Sequence, residues 1–297
     1  MGVLSSFFTN FATMEFRTIV NIPHPDFEIQ PCEKILFVGS CFADNIGKRF
    51  EEEKFRTTIN PFGVMYNPIS ILHTVMRKEG ESFDTAVLTL GTNHVYIEKA
   101  TGTVVDNCQK RPQNLFEEHV LTVEQCTEAL RGVVAALRKG NPNIKIILTV
   151  SPIRYAKYGY HESQLSKATL LLASHQLITE QQGRIYYFPA YEIVNDELRD
   201  YRFYKADMLH PNEQAVDYIW ERFVEVSFSK EAKKFLESWR PIKEAFGHKP
   251  FNPESEEYKH FLQKTREKAE KLKKGYENVQ YNLIFDAKNK LWDVFLP

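Results

Sequence analysis

Two short groups of residues carry the chemistry open to this chain. Gly39-Ser40-Cys41 sets a hydroxyl beside a thiol, and Asp207-x-x-His210 sets a carboxylate three residues before an imidazole. At that spacing an Asp can hold one imidazole nitrogen while the other faces a nucleophile. Between the two groups lie Gly63, in a turn-rich loop, and Asn93, just after an apolar run. Acyl transfer needs a nucleophile, a base oriented by an acid, and neutral donors aimed at the developing oxyanion. An Asn side chain and a Gly amide suit the last part. Taken one at a time, each residue has a plainer reading: Cys41 as packed core, Asn93 as a turn residue, Asp207 as a cap, His210 as a surface histidine. Their order at predicted strand ends favours the chemical reading.

The elements that must position them follow from the hydrophobic pattern. The four apolar residues 35–38 read as a buried strand of a parallel sheet, and Phe42, Ile46 and Phe50 then recur at helical spacing. Ser40 and Cys41 therefore fall where a strand ends and a helix begins, the edge at which open α/β sheets bind ligands. First-turn amides favour negative charge there, which favours a thiolate. Residues 86–90, 144–150 and 185–188 read as further strands, the first two ending in Gly91-Thr92-Asn93 and Ser151-Pro152. Helical spacing covers 123–137, 162–182 and a stretch from Ala215, and Pro68 opens a short helix over 69–72. Residues 95–97 and 103–105 flank Gly102 as a hairpin. Strands alternating with helices to residue 230 predict an α/β fold: three layers, a doubly wound parallel sheet with helices on both faces.

Three parts are expected. Residues 1–32 form a Pro-punctuated leader and wrap-around segment, with Met14 an alternative start to Met1. Residues 33–240 form the catalytic domain. Residues 241–297 form a C-terminal extension: a loop at 243–253, a charged helix over 254–274 packed on the domain, and a tail with a hairpin at 282–295.

With 38 basic against 39 acidic residues, the formal charge is -1, so electrostatics give no reason to expect nucleic acid or an anionic membrane as partner. The 43% hydrophobic and 26% charged residues are ordinary for a globular chain, and no apolar run approaches a membrane span. Cys32, Cys41, Cys108 and Cys126 fit neither a zinc pattern nor a CxxC pair. They read as reduced thiols in a cytoplasmic protein without metal or cofactor.

Gly39-Ser40-Cys41-Phe42-Ala43 spells the motif for which the GSCFA domain family is named. Asn60-Pro61-Phe62-Gly63, Gly91-Thr92, Thr149-Val150-Ser151-Pro152, Ser166-Lys167-Ala168-Thr169 and the stretch from Tyr201 through Pro211 resemble the same family, over roughly residues 33 to 230. That family is similar to SGNH/GDSL hydrolases. The resemblance implies a five-stranded flavodoxin-like sheet, with Asp207 and His210 as acid and base and with Gly63 and Asn93 in the oxyanion hole. Laid on the Gly-Asp-Ser-Leu block, Gly39-Ser40-Cys41-Phe42 puts Cys41 at the nucleophile's position and Ser40 at the aspartate's, so Cys41 is favoured over Ser40. The reading is an ester hydrolase or O-acyltransferase acting through an acyl-enzyme on a small acyl ester, such as an acetylated carbohydrate. Lys110, Arg111, Arg154, Lys167 and Arg202 are candidates to hold that substrate. The alternative is a non-catalytic carbohydrate- or partner-binding module on the same fold, which the altered first block favours.

Overall fold

The computed structural model describes residues 16–108, 111–181 and 183–277. The run at 35–38 is the heart of β1 (Lys34–Gly39), and period-two alternation splits its side chains between two layers. Ile35 and Phe37 enter one core cluster, Leu36 and Val38 the other. Every residue from Ile35 to Gly39 is buried, as a strand covered by helices on both faces requires. β2 (Arg56–Ile59) and β3 (Thr85–Leu90) flank it, and β7 (Lys145–Val150) and β8 (Ile185–Tyr187) complete a parallel sheet in the order β2-β1-β3-β7-β8.

Helices α1 (Cys41–Glu52) and α6 (Glu213–Ser227) cover one face, where Phe42, Ile46 and Phe50 meet Ile219, Phe223 and Phe228. Phe50 lies edge-on to Phe55 and Phe223 at 5.1 and 5.8 Å. Ile22, Phe27 and Ile29 of the expected wrap-around segment join this layer, and Ile29 bridges to Phe228. Helices α2 (Pro68–Met76), α3 (Val123–Gly140) and α4 (Tyr160–Glu180) contribute Ile71, Leu130, Val133 and Leu170 to the other face. Beyond β8, α5 (Ala190–Glu192) runs into a π-helical stretch, Ile193–Leu198.

The expected hairpin is β4 (His94–Glu98) with β5 (Val104–Val105). A third strand that the pattern did not predict, β6 (Phe116–Val120), pairs antiparallel with β4. Its sequence, Phe-Glu-Glu-His-Val, buries only Phe116, so pairing rather than burial holds it. The expected loop at 243–253 begins too early. α7 (Lys230–Gly247) continues to Gly247 because Trp239 and Ile242 bury against α8 (Glu256–Glu277), while Trp239 donates to the Glu52 carbonyl at 2.9 Å. The expected hairpin at 282–295 and the first fifteen residues lie outside the described residues.

Candidate active site

Cys41 is the first residue of α1, directly past the carboxyl end of β1. The turn between them needs a glycine: Gly39 has φ +146°, and a Cβ there would stand 2.1 Å from the Thr89 carbonyl oxygen of β3. Asn60, itself at φ +39°, accepts from the Gly39 amide at 2.9 Å and donates to Asp44 on α1 at 2.6 Å. One side chain thus ties the strand end to the first turn of the helix.

Ser40 is fully buried. Its hydroxyl caps α1 by accepting from the Phe42 amide at 3.2 Å and lies 3.3 Å from the Thr89 hydroxyl. The position offered as an alternative nucleophile is therefore a helix cap turned away from solvent. Cys41 is half-buried with a free thiol, and its hydrogen-bonding neighbour is the Tyr66 hydroxyl, 3.9 Å from Sγ. Burial, with the thiol beside it, pushes the Tyr66 phenol up to about 12, so at neutral pH it remains an O–H donor.

His210 precedes α6, whose N-cap is Asn212, accepting from the Ala215 amide at 3.0 Å. Nδ1 of His210 lies 2.6 Å from one carboxylate oxygen of Asp207; the other oxygen accepts the Leu209 and His210 amides at 2.8 and 3.0 Å. The His210 and Leu209 amides, with the His210 ring, hold the Asp207 carboxyl down to about 2. A carboxylate on Nδ1 fixes the tautomer with the free lone pair on Nε2. The loop hangs on the β7 end of the sheet: Arg154 donates its amide to the Leu209 carbonyl at 3.1 Å and its guanidinium to the Met208 carbonyl at 3.0 Å. β1 and β7 are separated by β3 alone, so the two supports stand about 10 Å apart at two inter-strand spacings. Sγ of Cys41 and the His210 ring make no direct hydrogen bond. Catalytic hydrogen bonds often close only when substrate is bound.

Several expected site residues are held elsewhere. The Gly63 amide donates to the Asn60 carbonyl at 2.8 Å within an exposed turn, so its N–H is not free for an oxyanion. Asn93 is buried, and its side-chain amide donates to the Leu121 carbonyl at 2.7 Å, fastening the β3–β4 connection to the end of β6. Lys167 is also buried: Nζ donates to the carbonyls of Gly91 and Ser151 at 2.6 and 2.8 Å, beneath the ends of β3 and β7. Burial pulls its amine down to about 7. Arg154 lies over the Tyr160 ring at 4.2 Å and tethers the His210 loop rather than opening to a pocket. Arg202 is exposed and paired with Asp200 at 3.3 Å. Arg111 pairs with Glu98 at 2.6 Å but does line a cavity beside the antiparallel strands, and Lys110 lies outside the described residues.

The sequence reading missed Asn60, Tyr66 and Tyr155. Asn60 and Tyr66 belong to the Asn60–Asn67 loop, singled out for its turns, its family motif and Gly63, with no role given to either side chain. Tyr66 also accepts the Gly91 and Thr92 amides on its carbonyl, at 2.9 and 2.7 Å. Tyr155 stands edge-on to Tyr66 at 6.0 Å. Gly91 makes room for it: a Cβ there would lie 2.5 Å from the Tyr155 hydroxyl. Among the described residues no group of His, Cys, Asp and Glu could hold a metal ion, and no helix is long and apolar enough to cross a membrane.

The model of the GSCFA family matches residues 34–83 and 74–223, and that of the GSCFA domain protein, C-terminal domain, matches residues 239–283. The chain belongs to the GSCFA family. No curated protein matches its sequence. Among solved structures it is similar to a carbohydrate esterase family 3 protein from Talaromyces cellulolyticus, with 12% identity, 69% of this chain and 98% of that one covered, and a TM-score of 0.41. A protein described as a GDSL-like lipase from Bacteroides ovatus is 14% identical over 69% of this chain and 54% of that one, with a TM-score of 0.43. An acetyl xylan esterase from the rumen bacterium Butyrivibrio proteoclasticus is 11% identical over 75% and 65%, with a TM-score of 0.36.

Proposed function

We propose that this chain is an ester hydrolase or O-acyltransferase that works through a thioester on Cys41. The observation that carries the reading is the Asp207–His210 pair at 2.6 Å, oriented so that Nε2 is the free base, on the same sheet edge as a half-exposed thiol at a helix N-terminus. Nε2 takes the thiol proton; sulfur attacks the ester carbonyl; the C–O bond breaks, and the alkoxide leaves with the proton from His210. Water or an alcohol then attacks the thioester, giving its proton to Nε2, and the C–S electron pair returns to sulfur. This reading assigns the Cys41 amide and the Tyr66 hydroxyl, 3.9 Å from Sγ, to the developing oxyanion. A small acyl ester, such as an acetylated carbohydrate, fits this chemistry. A thiol nucleophile works only when reduced, so this reading goes with a reducing compartment such as the cytoplasm. The catalytic unit is taken as residues 33–240, with 241–297 as its appended extension.

One observation favours the second reading, a binding module: the Gly63 amide is taken by the Asn60 carbonyl, and Asn93 gives one of its two side-chain amide hydrogens to the Leu121 carbonyl. Incubation with p-nitrophenyl acetate separates the two. An acetyl increment on the Cys41 peptide, absent from Cys41→Ala and retained in Ser40→Ala, is expected. Full turnover by both variants would remove the thioester.

A further inference from the structure

The antiparallel sheet β5-β4-β6 walls a cavity of about 440 Å³ beside the Cys41 rim. Tyr66, Thr92, His94, Tyr96, Tyr155 and Tyr158 line it. The volume lies in the range of small-ligand sites, about 300–1,000 Å³.

The charged groups around this cavity already neutralise one another. Asp106 takes His73 at 2.7 Å and Arg77; Arg111 takes Glu98 at 2.6 Å; Glu118 takes His94 at 2.7 Å and Lys157 at 3.5 Å. A charged ligand would have to break one of these pairs. What the cavity offers instead is ring faces and uncharged polar groups, among them the side-chain amide of Gln113. Nε2 of His94 makes no hydrogen bond to a described residue; its Nδ1 is taken by Glu118, and its ring stacks on Tyr158 at 3.7 Å and 9°. A ligand hydroxyl would give that nitrogen its partner. Tyr66 joins the cavity to the thiol: its ring lines the wall and its hydroxyl stands 3.9 Å from Sγ of Cys41.

We propose that this cavity binds the alcohol portion of the substrate, and that this portion is an uncharged polyhydroxylated ring compound, a neutral sugar. Its C–H faces lie against the tyrosine rings, and its hydroxyls pair with Nε2 of His94 and the Gln113 side chain. The link to Cys41 rests on the thioester reading; the cavity's ligand class does not.

The full chain is titrated calorimetrically with cellobiose and xylobiose as probes, and with glucuronate and benzyl alcohol as the charged and the purely apolar alternatives. A neutral disaccharide is expected to bind wild type and Cys41→Ala equally, at least about tenfold more tightly than glucuronate or benzyl alcohol, and about tenfold less tightly to His94→Gln and Tyr158→Ala. Cys108, which lines the cavity, supplies a readout without any substitution: the bound sugar slows its alkylation in the wild-type chain. No disaccharide binding, tighter binding of glucuronate or benzyl alcohol, or unaltered Cys108 alkylation overturns the proposal. Turnover of p-nitrophenyl acetate in the same preparations separates the two readings. Turnover lost in Cys41→Ala without sugar binding overturns the cavity alone; sugar binding with turnover intact in Cys41→Ala supports the cavity and removes the thioester.

Discussion

Around Cys41 almost every polar atom is engaged in the fold. The Gly39 amide goes to Asn60, the Ser40 amide to the Thr89 carbonyl, the Ser40 hydroxyl to α1, and the Asn60 side chain to Asp44. Around His210 the arrangement is reversed. Asp207 is exposed, Met208 sits at φ +58°, and the loop is held by its own short hydrogen bonds and by two from Arg154. The half of the site around Cys41 is a piece of the sheet; the half around His210 is an attachment to it. Substitutions near Cys41 should therefore change stability unless they touch the thiol alone, whereas substitutions at 207 and 210 should change chemistry and leave the fold in place.

The largest effect tests the thiol. Cys41→Ala is expected to lower acyl turnover by about 10⁴-fold or more, the scale for losing a covalent nucleophile, with a thermal midpoint within about 2 °C of wild type. A collapsed midpoint would make Cys41 part of the frame, like its neighbours. Labelling sharpens the same point. Burial pushes Cys32 and Cys126 up to about 12 and raises Cys108, so Cys41 should dominate iodoacetamide labelling at pH 8, read by peptide mass spectrometry.

Next comes Asp207→Asn, expected to lower kcat by about 10²–10⁴-fold by losing the oriented tautomer while the midpoint stays in place. The pH dependence has a definite sign. Asp207 is held at about 2 in the fold against 3.8 ordinarily, so its charged-state contribution is complete above about pH 4 and is lost only as pH falls through about 2. An NMR titration of the Asp207 carboxyl with its midpoint near 4 would mean that the amides of residues 209 and 210 do not hold it.

The same contrast explains what the sequence made legible. The sheet was readable because burial on both faces leaves a run such as 35–38 with no polar interruption, and because the helices returned between strands. Asp207 and His210 were readable because a loop that orients its own side chains does so within three residues. The hydrogen-bond partners of the expected oxyanion donors were not. Gly63 and Asn93 have the right type and order, but their hydrogen bonds are settled by the Asn60 carbonyl and by Leu121, 28 residues away in sequence. Lys167 is a candidate to hold substrate by type alone; whether a lysine on a helix faces solvent or the floor of the site depends on the packing of α4 against the sheet, which no local pattern encodes. β6 was invisible for a related reason, since its partner β4 holds it and its own side chains do not.

Lys167 also joins the two halves, because its amine bridges the strand end nearest Cys41 to the one that carries Arg154. A neutral amine has two hydrogens, matching the two carbonyls of Gly91 and Ser151. Lys167→Met should orphan both buried acceptors and cost about 2–4 kcal/mol by denaturant unfolding. With the folded value near 7 and the unfolded one near 10.5, the unfolded chain binds the extra proton between those limits, so stability should rise with pH from about 7 to about 10.5. Lys167→Met should remove that rise; an unchanged slope would mean the amine is charged in the fold.

The smallest effect distinguishes the two adjacent candidates for the nucleophile. Ser40 accepts the Phe42 amide that opens α1, so Ser40→Ala should cost about 0.5–2 kcal/mol, the usual range for a lost N-cap. In a domain of this size that corresponds to a midpoint lower by about 1–8 °C. Turnover per folded molecule should stay within about threefold of wild type, because the hydroxyl lies beneath the helix start and faces Thr89, whereas the thiol one residue later faces the cavity wall at Tyr66. Ser40→Ala and Asp207→Asn are thus expected to give opposite signatures, the first lowering the midpoint and the second lowering turnover. Should Ser40→Ala instead abolish turnover with its midpoint intact, the helix cap would be the nucleophile, and the division between a frame around residue 40 and a working loop around residue 210 would not hold.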